Sequence, residues 1–223
     1  MKKLVLILAI VACLVPVAAK ADSIYVPGMG RRVVAGINIP QVKDGDQVVL
    51  PALNGNFYVG EIRIDWNNHE YLGYCVDLFT DFNAPSGWNV ERRFMSDLPT
   101  AGNPPYVAAG TGPHAAWLAN HYAPLVQTNE DAATLQVALW MVLYPRLDPT
   151  WFSVSNDIRT NASTWASLSA NQHENAIWLD FPGSGVGGQD FVIPGQVPEP
   201  ASLMLFGVGL IGLAGAVRRR TRR

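Results

Sequence analysis

The chain has 223 residues, 49% of them hydrophobic, which is enough for one good-sized domain with a real core once both ends are set aside. Its formal charge of −2 hides an uneven distribution: three of the 16 basic residues (Lys2, Lys3, Lys20) lie before Asp22 and five in the last six positions. The segment from Asp22 to Glu199 therefore holds eight basic against all 18 acidic side chains, a formal −10, which argues against a nucleic-acid binder.

The first element is a secretory signal helix over residues 1–21. Lys2 and Lys3 form its charged start, Leu4 to Val17 its apolar stretch, and Ala19-Lys20-Ala21 an A-x-A cleavage site. Cys13 leaves with it. The exported protein keeps one cysteine, Cys75, so an internal disulfide is impossible. A lone cysteine in an exported protein is buried, paired between chains, or reactive.

From Asp22 to Leu53 the pattern predicts short strands, such as Val33–Ile39 and Gln47–Leu50, broken by Gly and Pro. Asn54-Gly55 signals a turn. Tyr58, Ile62, Ile64 and Trp66 then alternate with Glu61, Arg63 and Asp65, a half-buried strand. After a turn at Asn67-Asn68, Glu70 to Phe79 is its hairpin partner. Leu72, Tyr74, Val76 and Leu78 form the expected core face, and Tyr71, Gly73, Cys75 and Asp77 the other. Gly73 leaves room for a close approach beside Cys75.

Asp81 to Gly112 is rich in Pro, Gly and Asn and reads as a long irregular loop. Pro113 opens a short helix with a stripe of Ala115, Leu118, Ala119 and Tyr122. A second helix runs from about Asn129 to Tyr144. Thr128, Asn129, Glu130 and Asp131 supply its cap and first turn, and Pro145 stops it. It is apolar nearly all round, the pattern of a helix at the centre of a domain. Gln136 is the polar side chain in its middle, and burying an amide without a partner costs roughly 1–3 kcal/mol. Gln136 must therefore be bonded to something, by a hydrogen bond or a covalent one.

Beyond Pro145, Asp157 to Glu174 reads as a helix, and Ala176–Phe181 and Asp190–Ile193 as strands. The predicted fold is β-rich α+β: an antiparallel sheet or small sandwich with two or three helices, one of them buried and central. The domain is assigned to residues 22–182 and a Gly-rich linker to 183–196.

The tail reads Val197-Pro198-Glu199-Pro200, then an uncharged stretch over 201–217, then Arg218, Arg219, Arg220, Arg222 and Arg223. As a helix the uncharged stretch would span about 26 Å, the short end of a transmembrane crossing, with the arginines on the cytoplasmic side. This arrangement closely resembles the PEP-CTERM sorting signal of Gram-negative bacteria. The resemblance implies recognition by an exosortase, a membrane-bound intermediate, and delivery to the cell surface or an extracellular exopolysaccharide matrix.

Two internal segments carry a second resemblance. Tyr74-Cys-Val-Asp77 on a strand, and Leu135-Gln-Val-Ala-Leu-Trp140 on a helix, resemble the thioester domains of bacterial surface adhesins. The resemblance implies an internal thioester between Cys75 and Gln136, with Asp77 and Trp140 as possible supporting residues and an amine-bearing surface or matrix molecule as the covalent partner. Those adhesins are best known as wall-anchored Gram-positive proteins, a setting this tail does not share. The competing reading is an inert Cys75 in a non-covalent structural or carbohydrate-binding matrix protein. No enzyme class is predicted: the sequence has no H-E-x-x-H, no second cysteine for a zinc site and no Gly-rich phosphate loop after a strand, and no metal or cofactor is expected.

Overall fold

The computed structural model describes residues 22–80, 84–98, 106–181 and 189–195. The signal helix, the linker glycines and the whole sorting tail lie outside the described residues. No helix among the described residues is long and apolar enough to cross a membrane.

Among the described residues, nine strands and three α-helices make up the domain. β1 (Asp22–Ile39) and β4 (Leu53–Trp66) are long and pair antiparallel from Ile24↔Trp66 to Ile39↔Leu53. The small hairpin β2 (Val42–Asp44) and β3 (Gln47–Leu50) fills the connection. β5 (His69–Cys75) returns from β4 through the turn at Asn67 and Asn68, both at positive φ. β6 (Ser86–Phe94), β8 (Ile177–Asp180) and β9 (Phe191–Ile193) follow, and the two-residue β7 (Phe152–Ser153) pairs with the far end of β1.

The order β4-β5-β9-β8-β6-β1, with β1 also on β4, closes on itself. The first five residues of β1 pair with β6 on one edge, and Ile24 and Tyr25 pair with β4 on the other. The sheet is therefore a ring of six antiparallel strands without a free lateral edge, which removes the hazard of exposed strand edges. Two register shifts in β1, between Tyr25 and Gly28 and between Met29 and Arg32, bend it enough to close. Gly60 sits opposite the second shift at φ +147°, where a Cβ would run into the Arg31 carbonyl.

The helices are α1 (Gly112–Tyr122), α2 (Asn129–Leu143) and α3 (Asn156–Ser169). Thr128 caps α2: its hydroxyl accepts from the Asp131 N–H, and the Asp131 carboxylate accepts from the Thr128 N–H. Every residue from Ala132 to Trp140 is buried, because α2 packs against α1, α3 and the β1–β4 pair at once. The buried central helix is thus present as expected.

Four expectations are corrected. The stretch from Asp22 is one bulged strand rather than several short ones. Within the supposed loop of Asp81–Gly112 lies β6, which closes the ring; only Val90 in it is fully buried, so its alternation is carried mostly by polar residues. Both faces of the segment from Gly73 to Leu78 are buried: Tyr74, Val76 and Leu78 are core as expected, and Cys75 is core too. Ile62 and Ile64 pair with Gly73 and Tyr71 and point inward, so Cys75 follows them inside while Leu72 is exposed. Tyr74, on the face opposite Cys75, is fully buried, and its hydroxyl donates to the buried Glu61 carboxylate. Finally, residues 189–193 are not linker: Phe191, Val192 and Ile193 are core and form a barrel strand.

Candidate functional site

β5 and β4 stop pairing at Gly73, so the backbone of Cys75 has lost its strand partner on that side. Helix α2 supplies the replacement. The Cys75 N–H donates to Gln136 Oε1 and the Gln136 Nε2 donates to the Cys75 carbonyl, each at 2.9 Å. One carboxamide thus does the work of a neighbouring strand residue, giving and accepting one bond. Two turns on, the Tyr144 hydroxyl donates to the Val76 carbonyl at 3.2 Å and accepts from the Leu78 N–H at 3.1 Å. On the opposite side the Val76 N–H donates to the Asp190 carbonyl at 2.8 Å. Residues 75–78 are therefore held from both edges, and buried backbone groups that would otherwise be orphaned are satisfied.

The Cys75 side chain faces elsewhere. Its thiol donates to Oε1 of Gln189 at 3.0 Å, and Gln189 Nε2 donates to the Asp77 carbonyl at 2.7 Å. Gln189 lies two residues before β9, whose Phe191 is the register partner of Cys75. Both side chains are buried, Cys75 at 5% exposure and Gln189 at 7%. The Gln189 carboxamide carbon lies no more than one C=O bond, about 1.2 Å, beyond the 3.0 Å contact. The approach is fixed by the pairing of β5 with β9 and by the Val76 N–H bond to the Asp190 carbonyl beside Gln189.

Thiol and carboxamide share one wall of a cleft of about 500 Å³, which Trp140, Arg32, Asn56, Tyr58 and Thr80 also line. Arg32 stacks over the Tyr58 ring at 4.8 Å, and Tyr58 is 57% exposed at the mouth. Burial pushes the Cys75 thiol well above its ordinary pKa, and the nearby Asp77 carboxylate adds to the rise. Cys75 is consequently a neutral S–H at neutral pH, able to donate its bond to Gln189. Asp190 is raised to about 8, first by burial and then by Asp180 and Asp77, against bonds from the Phe181 N–H and the Trp178 indole.

The predicted residues fall out as follows. Cys75 is in the cleft. Gln136 touches Cys75 through its backbone, with both amide ends occupied, and is not the carboxamide bonded to the thiol. The Asp77 carboxylate is turned onto its own loop, accepting from the Phe79 N–H at 2.9 Å and from the Thr80 hydroxyl, so Asp77 serves the site through its carbonyl. Trp140 lines the cleft, stacked on Phe152 at 5.9 Å and 16°. Sequence reasoning missed Gln189. Its signal was a Gln189-Asp190 pair between a glycine-rich run and an apolar triplet. None of the seven tryptophans is exposed, and His114 and His121 are engaged with the Gln172 carbonyl and the Trp117 carbonyl. No group of three or more His, Cys, Asp or Glu suited to a metal ion occurs among the described residues.

Among known proteins, no curated protein and no solved structure matches this chain. A family model described as the PEP-CTERM protein-sorting motif matches residues 196–220, a span containing Val197-Pro198-Glu199-Pro200, the uncharged stretch and Arg218–Arg220. The chain therefore carries a PEP-CTERM sorting motif at its C-terminus, the mark of an exported protein handled by an exosortase.

Proposed function

We propose that this exported domain is a covalent attachment module whose working bond is an internal thioester between Cys75 and Gln189. The observation that carries the reading is the 3.0 Å contact between the Cys75 sulfur and the Gln189 carboxamide oxygen at the wall of an accessible cleft. In maturation the sulfur adds to the Gln189 carboxamide carbon. The thiol proton passes to the amide nitrogen, which leaves as ammonia, and a thioester remains. Proximity favours the step, since the β5–β9 pairing and the bond from Gln189 Nε2 to the Asp77 carbonyl hold the reacting atoms together. Burial opposes it by keeping the sulfur protonated, so maturation should be faster at higher pH, where the thiolate is more populated.

The thioester is then an acyl group activated towards amines. Departure of ammonia vacates the hydrogen bond to the Asp77 carbonyl at the place from which nitrogen left. An incoming primary amine is the reverse of departing ammonia, and its N–H fits that acceptor. Attack forms an amide at residue 189 and frees the Cys75 thiol. Sorting by an exosortase would place such a module where amine-bearing surface or matrix molecules are available, a role in adhesion or matrix anchoring. The Gln136 pairing implied by the family resemblance is replaced here, because its amide is committed at both ends to the Cys75 backbone.

The test is the intact mass of purified protein before and after methylamine, beside Cys75→Ala and Gln189→Ala. The expected result is a native mass short by one ammonia, a methylamine adduct at residue 189, and a thiol released at Cys75. An adduct at residue 136 would restore the other pairing. A full mass with an inert Cys75 would leave a polar pair that merely satisfies buried groups, and with it a non-covalent matrix protein.

A further inference from the structure

The Trp140 indole nitrogen is buried and has no hydrogen-bond partner among the described residues. A buried indole N–H ordinarily finds an acceptor, so an orphan of this kind calls for a reason. Trp140 is only 3% exposed and lines the same cleft as Cys75 and Gln189. Its place is fixed from two sides. The ring stacks on Phe152, and one helical turn earlier Gln136 is bonded twice to the Cys75 backbone. The turn of α2 that carries the indole is thereby tethered to the strand that carries the thiol.

The second half of the argument is a hydrogen-bond balance, and it rests on the thioester reading above. Before the reaction Gln189 Oε1 accepts from the Cys75 thiol. When the thioester forms, that hydrogen leaves with ammonia. The carbonyl oxygen then has lost its donor in a buried place, and an unsatisfied buried acceptor is costly. One cleft would hold an acceptor without a donor and a donor without an acceptor.

We propose that the Trp140 Nε1–H becomes the donor to the Gln189 carbonyl oxygen in the thioester state, and that it stabilises the oxyanion formed when an amine attacks. In that step the amine nitrogen bonds to the acyl carbon and the C=O electron pair moves onto oxygen, where the indole N–H meets it. The pair then returns, the C–S bond breaks, and the sulfur takes the proton released by the amine. A donor preorganised for the developing charge acts on the transition state more than on the ground state. Trp140 is on this account a catalytic residue and not only a packing one.

The experiment uses protein expressed from the full-length chain with carbon-13 at the glutamine side-chain carbonyl. Isotope-edited infrared spectroscopy reads the thioester carbonyl band, and mass spectrometry reads ammonia loss and the rate of methylamine capture. In Trp140→Phe, which keeps an aromatic ring against Phe152, the band is expected at higher wavenumber and capture slower by roughly 10- to 100-fold. Because that change could also unsettle α2, the same readings are taken with benzothienylalanine at 140 alone, which has the indole's shape with sulfur in place of N–H. An unchanged band and rate in either folded variant overturns the inference while leaving the thioester intact. No ammonia loss in the unmodified protein overturns the thioester reading itself, and this inference with it.

Discussion

At the scale of single residues, the centre of this site is held by two glutamines with different tasks. Gln136 completes a strand edge, and Gln189 meets a thiol. The difference lies in which atoms are already taken. Gln136 Oε1 and Nε2 both serve the Cys75 backbone, so replacing it with leucine would strand a buried N–H and a buried C=O together. Each such group costs about 1–3 kcal/mol when left unpaired. Gln136→Leu is therefore expected to destabilise the fold by about 2–5 kcal/mol, read from urea unfolding midpoints. Gln136→Glu would recover only the acceptor half at neutral pH, since an ionised carboxylate cannot donate to the Cys75 carbonyl. Gln189→Leu leaves no backbone group of Cys75 unpaired. It should cost less stability while abolishing ammonia loss, and that separation of effects distinguishes a structural amide from a reactive one.

At the scale of elements, the proposed thioester chemistry would depend on how β5 and β9 lie against each other. Gly73 lies two residues before Cys75, and a Cβ there would come within 2.7 Å of the Ile64 Cδ1 and 3.1 Å of the Val192 carbonyl. The isoleucine tip can turn away, but the carbonyl belongs to β9 and cannot move without its strand. Gly73→Ala is expected to cost about 1–3 kcal/mol, as overpacking in a dense core does, and to slow thioester formation by widening the β5–β9 seam. Parallel measurements of the melting midpoint and of the rate of ammonia loss check this. Retention of the wild-type rate in a destabilised but folded Gly73→Ala would show that the seam does not govern the chemistry. Helix α2 illustrates the converse case. Its cap, its length and its uniform burial were all legible, because capping and apolar density are local properties of the chain. Strand β6 was not legible, since one fully buried valine among polar residues gives little signal until the neighbouring strands are in place.

At the scale of the whole molecule, the tail and the barrel divide the work. The sorting motif over residues 196–220 marks the chain for exosortase handling, and the segment from Asp22 to Glu199 carries a formal −10. Pro198, Glu199 and Pro200 stand between barrel and basic end, where a processing protease must read them. Glu199→Ala is expected to leave the chain unprocessed and in the membrane fraction, with Arg218–Arg223 still attached. Mass analysis of the C-terminus and fractionation of producing cells check it. The barrel should mature independently, so ammonia loss is expected in the retained precursor too, provided it has reached the oxidising side of the membrane and folded.

The sequence by itself determined the sorting motif, the buried capped helix and the strand that carries Cys75. Each is written in contiguous residues: a Pro-Glu-Pro run with its arginines, a cap ahead of an apolar run, an alternation of period two. Only the tertiary structure decided which carboxamide the thiol meets. Gln136 is 61 residues from Cys75 and Gln189 is 114, and nothing local ranks them. The choice is made by ring closure. Bulges in β1 bend the sheet until β9 pairs with β5, and that pairing brings Gln189, two residues before Phe191, beside the thiol. Helix α2 is left to complete the backbone where β4 has turned away.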